Sequence, residues 1–205
     1  MPPSHLTRPD NLVKEALRGT ERMQGKIVIP PKDYEIKNRI ADGVDRPIAE
    51  TTVEIICRNS GVSRPTFYRH FDSKFDLAFW YATFAETIYL DEIGRSCSWE
   101  EGLTGHFRLL FEKRDLFYFT SFPSNEEKAR RTAMQAHRGQ VVLQKLGERG
   151  VEVTSDMSYY VEAYVAVETT MSARWMRNRM DRSPEEMGHL LTQCVPRPLF
   201  EALEL

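Results

Sequence analysis

Cysteine is scarce in this chain, and its placement excludes whole classes of site. Cys57, Cys97 and Cys194 are odd in number and far apart. None stands in a C-x-x-C pair or at ligand spacing from a histidine, which argues against a zinc site or a disulfide framework and for three reduced thiols. Long apolar runs are missing too. The longest, Leu77 to Tyr81, falls far short of the ~18 to 20 residues a membrane span needs. The opening segment MPPSHLTRPDNL lacks the basic-then-apolar order of a secretion signal, so a cytoplasmic protein without membrane contact is expected. Catalytic signatures are also absent: there is no nucleophile elbow and no phosphate-binding glycine loop. His106, His137 and His189 fall on separate expected helices without a second ligand at helical spacing. No enzyme activity, cofactor or metal is expected.

The net charge of −2 is small but unevenly divided. Residues 1–75 hold 13 Lys+Arg against 10 Asp+Glu, a net +3, whereas residues 76–205 hold 15 against 20, a net −5. A mildly basic front and an acidic back fit an anionic partner met only at the front.

Strand signals are nearly confined to Val151-Glu152-Val153, short enough for a loop, and helical periodicity fills most of the rest. The fold class expected is all-α. Residues 1–31 hold five of the 11 prolines and read as a leader, with a short helix at Asp10 to Met23 and an extended Gly25 to Pro31. Ile36, Ile40 and Val44 recur every four residues and mark a first helix ending at Arg46-Pro47. Thr51-Thr52-Val53-Glu54 has the form of a capping box for a second helix that stops at Gly61. Ser63 caps a third, with Pro65 in its first turn, and Asp72-Ser73 a fourth from Lys74 to about Glu92. Further helices open at Ser98, at Ser124, at Ser155 or Asp156, and at Ser183, the last reaching Cys194 before Pro196 and Pro198.

The stretch GVSRPTFYRHF, Gly61 to Phe71, concentrates the chemistry. Two short helices joined at a glycine, the second capped by serine, form a helix-turn-helix. At 100° per residue, Phe67 and Phe71 fall on one side of the third helix, beside Val62. The opposite side carries Pro65, Thr66 and Arg69, flanked by Arg64, Tyr68 and His70. Such a face is either plain solvated charge or a set of donors suited to a major groove, where arginine takes guanine O6 and N7 together. The order of caps, small residues, glycine turn and Lys74 favours the second.

Residues Thr51 to Tyr81, TTVEIICRNSGVSRPTFYRHFDSKFDLAFWY, resemble the DNA-binding domain of TetR-family transcriptional regulators. The family pattern falls here on Gly61, Val62, Ser63, Thr66, Phe67, Tyr68, His70, Phe71 and Lys74. The resemblance implies a helix-turn-helix domain over 32–78 and a helical ligand-binding and dimerisation domain over 79–205. It further implies that Thr52, Tyr68, His70 and Lys74 hold phosphates of double-stranded DNA. Ser63, Arg64, Pro65, Thr66 and Arg69 would face the groove, with Phe67 and Phe71 in the core. Two positions depart from the pattern: Ile55 replaces a polar residue, and Gly43 interrupts the first helix.

For the back of the chain the resemblance implies a homodimer that senses a small-molecule ligand or a partner protein. Phe84, Phe107, Phe111, Tyr118, Tyr164 and Trp175 are candidate ligand-lining residues, or else ordinary core. Tyr160, Val167 and Met171 on one helix, with Met187, Leu190 and Leu191 on the last, form apolar stripes suited to a four-helix dimer interface. The inside face of a monomer is the competing explanation. Two-fold symmetry would place the reading heads on a palindromic operator. The order of Trp80, Trp175 and Ser183 to Glu186 is also similar to regulators resembling the dihydroxyacetone kinase activator. The alternative function is a helical ligand-binding or interaction module that keeps the fold without regulating through DNA.

Overall fold

The computed structural model describes residues 33–118 and 124–205, the side chains of 124–131 excepted. The expected leader elements at Asp10 to Met23 and Gly25 to Pro31 lie outside the described residues. Nine α-helices occur among the described residues, and no strand. They are α1 (Tyr34–Asp42), α2 (Val53–Ser60), α3 (Arg64–His70), α4 (Lys74–Tyr89), α5 (Trp99–Glu112), α6 (Ser124–Glu148), α7 (Ser155–Arg177), α8 (Pro184–Gln193) and α9 (Arg197–Leu203). Val151 and Val153 lie in the loop between α6 and α7.

Local chemistry explains most boundaries. Ser98 and Ser183 each close a reciprocal capping box with Glu101 and Glu186. Thr52, not Thr51, caps α2: its Oγ1 accepts from the Ile55 amide, so Glu54 falls one position short of the box expected for it. Gly43 does not interrupt α1 but follows its end, where an added Cβ would stand 2.6 Å from the Ile56 carbonyl oxygen. The glycine there permits a close approach of α1 to α2. Pro196 and Pro198 do not end the chain's helices; they open α9, because proline is tolerated in a first turn that needs no amide donor. The fourth helix stops at Tyr89 and tightens into a 3-10 turn, Leu90–Glu92.

One continuous hydrophobic core runs from Ile40 and Phe67 through Leu77, Trp99 and Leu146 to Leu203. The helix α4 crosses it unbroken, so the boundary expected at 78 falls inside a helix. Side chains also tie the front to the back. Tyr34 of α1 stacks on Phe84 of α4 with centroids 4.7 Å apart, and Asp42 pairs with Lys113 beyond the end of α5. Among the described residues, no helix is long and apolar enough to cross a membrane.

Candidate nucleic-acid interface

Gly61 adopts φ +67° at the turn between α2 and α3, the left-handed conformation that glycine accepts without strain. Val62 then returns an amide to the Cys57 carbonyl, and Ser63 caps α3 by accepting from the Thr66 amide at 3.2 Å. With α3 fixed this way, its two faces separate sharply. Phe67 is fully buried and Phe71 nearly so, while the adjacent Tyr68 is 47% exposed. Ser63, Arg64, Pro65 and Arg69 are exposed, and Thr66 is half-buried beside them. The Ser63 and Thr66 hydroxyls share a hydrogen bond of 2.8 Å. At the start of α2 the Thr52 hydroxyl accepts from Ile55, which leaves its proton to donate outward. Neither Arg64 nor Arg69 has an ion-pair partner among the described residues, so both guanidiniums stand ready for an anion. Of the expected positions, Thr52, Ser63, Arg64, Pro65, Tyr68 and Arg69 are thus exposed and Thr66 is half-buried.

Two others turn toward the protein. The His70 Nδ1 lies 3.4 Å from the Asp33 carboxylate, which also pairs with Lys37 at 2.9 Å. Lys37 and His70 hold the Asp33 carboxyl below its ordinary range, the lysine hydrogen bond contributing most. The Lys74 ammonium donates to the carbonyls of Thr51 and Ala49, and burial lowers its pKa. Asp33 was not singled out by its sequence. The only signal for it was an acidic residue ahead of a helix, which usually marks a cap.

In the back half, the six ligand candidates do not converge on one place. Phe84 joins Tyr34 and Trp80, Phe107 and Phe111 flank Trp175, and Tyr164 packs edge-on against Trp99. Tyr118 instead donates to the Arg179 carbonyl. Phe84, Phe107, Tyr164 and Trp175 are all buried in the core. A polar cluster that the sequence did not reveal lies between α4, α6 and α7. There Arg138 donates to Glu168 at 3.1 Å and to the Leu90 carbonyl at 3.1 Å, and Lys145 donates to the same carbonyl at 2.8 Å. Burial lowers the Lys145 pKa to about 7 and, together with the Glu168 carboxylate, raises that of Glu86 to about 8.

The dimer candidates divide as well. Met187 and Leu191 are buried in the subunit's own core; α8 lies close on α5, where a Cβ at Gly188 would stand 2.2 Å from the Thr104 Oγ1. Tyr160, Val167 and Leu190 are exposed, and Met171 is half-buried.

A glycine-turned pair of helices, buried on one side and offering paired arginines and hydroxyls on the other, defines a helix-turn-helix DNA-binding protein. Residues 44–79 match the family model described as bacterial regulatory proteins, tetR family. The match covers the helix-turn-helix, so this front segment is similar to the DNA-binding domain of that family and supports a DNA-binding transcriptional regulator. No curated protein matches the chain. The match ends before Trp175 and Ser183, so likeness to the dihydroxyacetone kinase activator branch rests on residue order alone.

Proposed function

We propose that the protein is a homodimeric, sequence-specific transcriptional regulator of the cytoplasm, and not an enzyme, reading a palindromic operator with one α3 from each subunit. The observation that carries this is the division of α3, with Phe67 buried and Arg64, Thr66 and Arg69 turned out together. Arg64 and Arg69 take base edges, Ser63, Pro65 and Thr66 fit the groove floor, and Thr52 and Tyr68 hold phosphates. His70 and Lys74 reach phosphate only with the donor capacity their protein partners leave.

The exposed residues Tyr160, Ala163, Val167 and Thr170 follow 3-4 spacing along α7, with Leu190 on α8, and support pairing across a two-fold axis. Such an axis spaces the two reading heads about one DNA turn, ~34 to 36 Å, apart. The helical domain responds to a small ligand or partner protein. Supporting this, the buried Trp99 Nε1 and His106 Nδ1 have no hydrogen-bond partner among the described residues. A close-packed core does not need such groups. Differential affinity for the two arrangements of the reading heads is what would transmit the signal.

The test is binding to a duplex enriched from a random-sequence pool. Arg64→Ala and Arg69→Ala should each weaken it by about 10- to 100-fold, the worth of one bidentate base contact. Affinity unchanged in both variants would falsify the reading.

A further inference from the structure

The back of the chain is acidic, yet one short segment of it is strongly basic. Residues 174–182 hold four arginines against one aspartate, while the rest of 76–205 holds 11 Lys+Arg against 19 Asp+Glu. Arg174, Arg177, Arg179 and Arg182 are all exposed. Arg174, Arg179 and Arg182 form no ion pair among the described residues. A helix C-terminus favours cations, which accounts for Arg174 and Arg177 in the last turn of α7. It does not account for Arg179 and Arg182, which lie beyond the helix. Arg179 (φ 57°) and Met180 (φ 54°) adopt the left-handed conformation that glycine usually supplies after a helix. Met180 is buried in the core, whereas Arg179 is exposed and stands 5.7 Å from the Tyr118 ring centroid. A strained backbone is kept there for a guanidinium that faces solvent.

The segment lies on the side of the helical domain that meets the reading head. Lys113, just past α5, pairs with Asp42 at the end of α1. Trp175 packs on Phe107 and Phe111 toward that end of α5, and its indole donates to the Arg182 carbonyl at 2.9 Å. Tyr118 donates to the Arg179 carbonyl, and its neighbour Phe117 packs on Tyr81 of α4. Tyr81 stands seven residues, ~10 Å, along α4 from Lys74.

The exposed α7 stripe of Tyr160, Ala163, Val167 and Thr170 continues at the same 3-4 spacing into Arg174 and Arg177. Two heads read one face of a duplex only if the two-fold axis points at the DNA, so both α7 helices turn their arginine ends to the DNA side. Like charges from two subunits then gather near the axis, between the heads, where a polyanion relieves their repulsion.

We infer that Arg174, Arg177, Arg179 and Arg182 of both subunits form an electropositive base that draws in the phosphates of the duplex between the two half-sites. Screening at physiological salt acts over ~8 Å, comparable with the stretch of α4 from Lys74 to Tyr81, so the field of the arginines extends past the heads toward the duplex. The base adds affinity and steers association without selecting bases. The inference rests on the DNA-binding and dimer readings above.

The experiment follows the anisotropy of a labelled, selected duplex of about 30 base pairs as salt is raised. Arg179→Gly takes up the same backbone without strain, so its melting temperature should equal or exceed that of the wild type. Its slope of log affinity against log salt should nevertheless fall by about two, ~0.9 from each subunit. The fourfold variant Arg174/Arg177/Arg179/Arg182→Gln should lose about four, with half of the dimer's eight cations engaged. Arg149/Arg197→Gln is the control: both residues are exposed, and Arg149 lies by Glu204 and the start of α5, away from the reading head. Its slope should match the wild type. Should the fourfold variant lose the dimer in sedimentation, Arg179→Gly and Arg182→Gln, both off the α7 stripe, carry the test. A wild-type slope in the Arg179 and Arg182 variants overturns the inference and leaves the proposed function standing, as does an equal fall in the control. No salt-dependent DNA binding by the unmodified chain overturns both.

Discussion

Lys74 donates to the Thr51 carbonyl at 2.7 Å, joining the first residue of α4 to the segment that enters α2. A second bond, to Ala49 at 3.2 Å, fixes the 3-10 turn Ile48–Glu50 in the same grip. The ammonium therefore shapes the helix-turn-helix from behind. Its ring contact with Phe75, 5.2 Å to the centroid, adds a further protein partner.

Lys74→Met should accordingly lower stability more than it lowers the salt dependence of DNA binding. Two carbonyls would lose a charged donor, at a cost of about 1–3 kcal/mol. For a domain of this size that is a fall of several degrees in melting temperature, at about 2–4 °C per kcal/mol. The salt slope should change by no more than about one phosphate equivalent. A slope that falls by more, with an unchanged melting temperature, would return Lys74 to the DNA surface.

The helix-turn-helix was legible because its determinants are local. Ser63 caps a helix three residues away, Gly61 stands at its own turn, and the phenylalanines of α3 repeat at four-residue spacing. What escaped was set by partners distant in the chain. The bonds of Lys74 span 23 and 25 residues and those of Arg138 span 30 and 48, and no periodicity announces either. Gly43 looked like a flaw in α1 until the Ile56 carbonyl beside it was visible. The helix α9, which opens at Pro196 and Pro198, has no clear mark in the sequence, since a proline that ends one helix and one that begins the next look alike.

The stripes on α7 and α8 make a prediction that separates the two readings of them. Val167 is 38% exposed on the outer face of α7, whereas Met187 is buried against the subunit's own core. Val167→Asp should place a charge in the interface, shifting sedimentation from dimer to monomer with little change in helix content. Met187→Ala should keep the dimer and lower stability by about 2–5 kcal/mol through the cavity it leaves. A dimer that survives Val167→Asp and Tyr160→Asp together rules out this face as the interface.

Stability should also depend on pH through the buried His106 and the half-buried Glu86, which act with opposite sign. Burial lowers the His106 pKa from 6.5 to about 4. Between those values the unfolded chain binds the extra proton, so stability falls as pH drops from 6.5 toward 4. Glu86 is raised from 4.5 to about 8, by burial first and by the neighbouring Glu168 carboxylate next, with Arg138 opposing and Asp91 adding to the shift. There the folded chain holds the extra proton, and its contribution is complete below pH 4.5 and lost as pH rises through 8. Glu86→Gln keeps the shape and removes the ionisation. The variant should match the wild type near pH 4.5 and become progressively more stable than it up to pH 8, by about 2–4 kcal/mol. Lys145, lowered to about 7, also titrates in this range, but it is present in both proteins and cancels in the difference. Melting temperatures of the two proteins at half-unit steps of pH are the measurement, and a difference that stays flat across the range would show that Glu86 ionises freely in the folded protein.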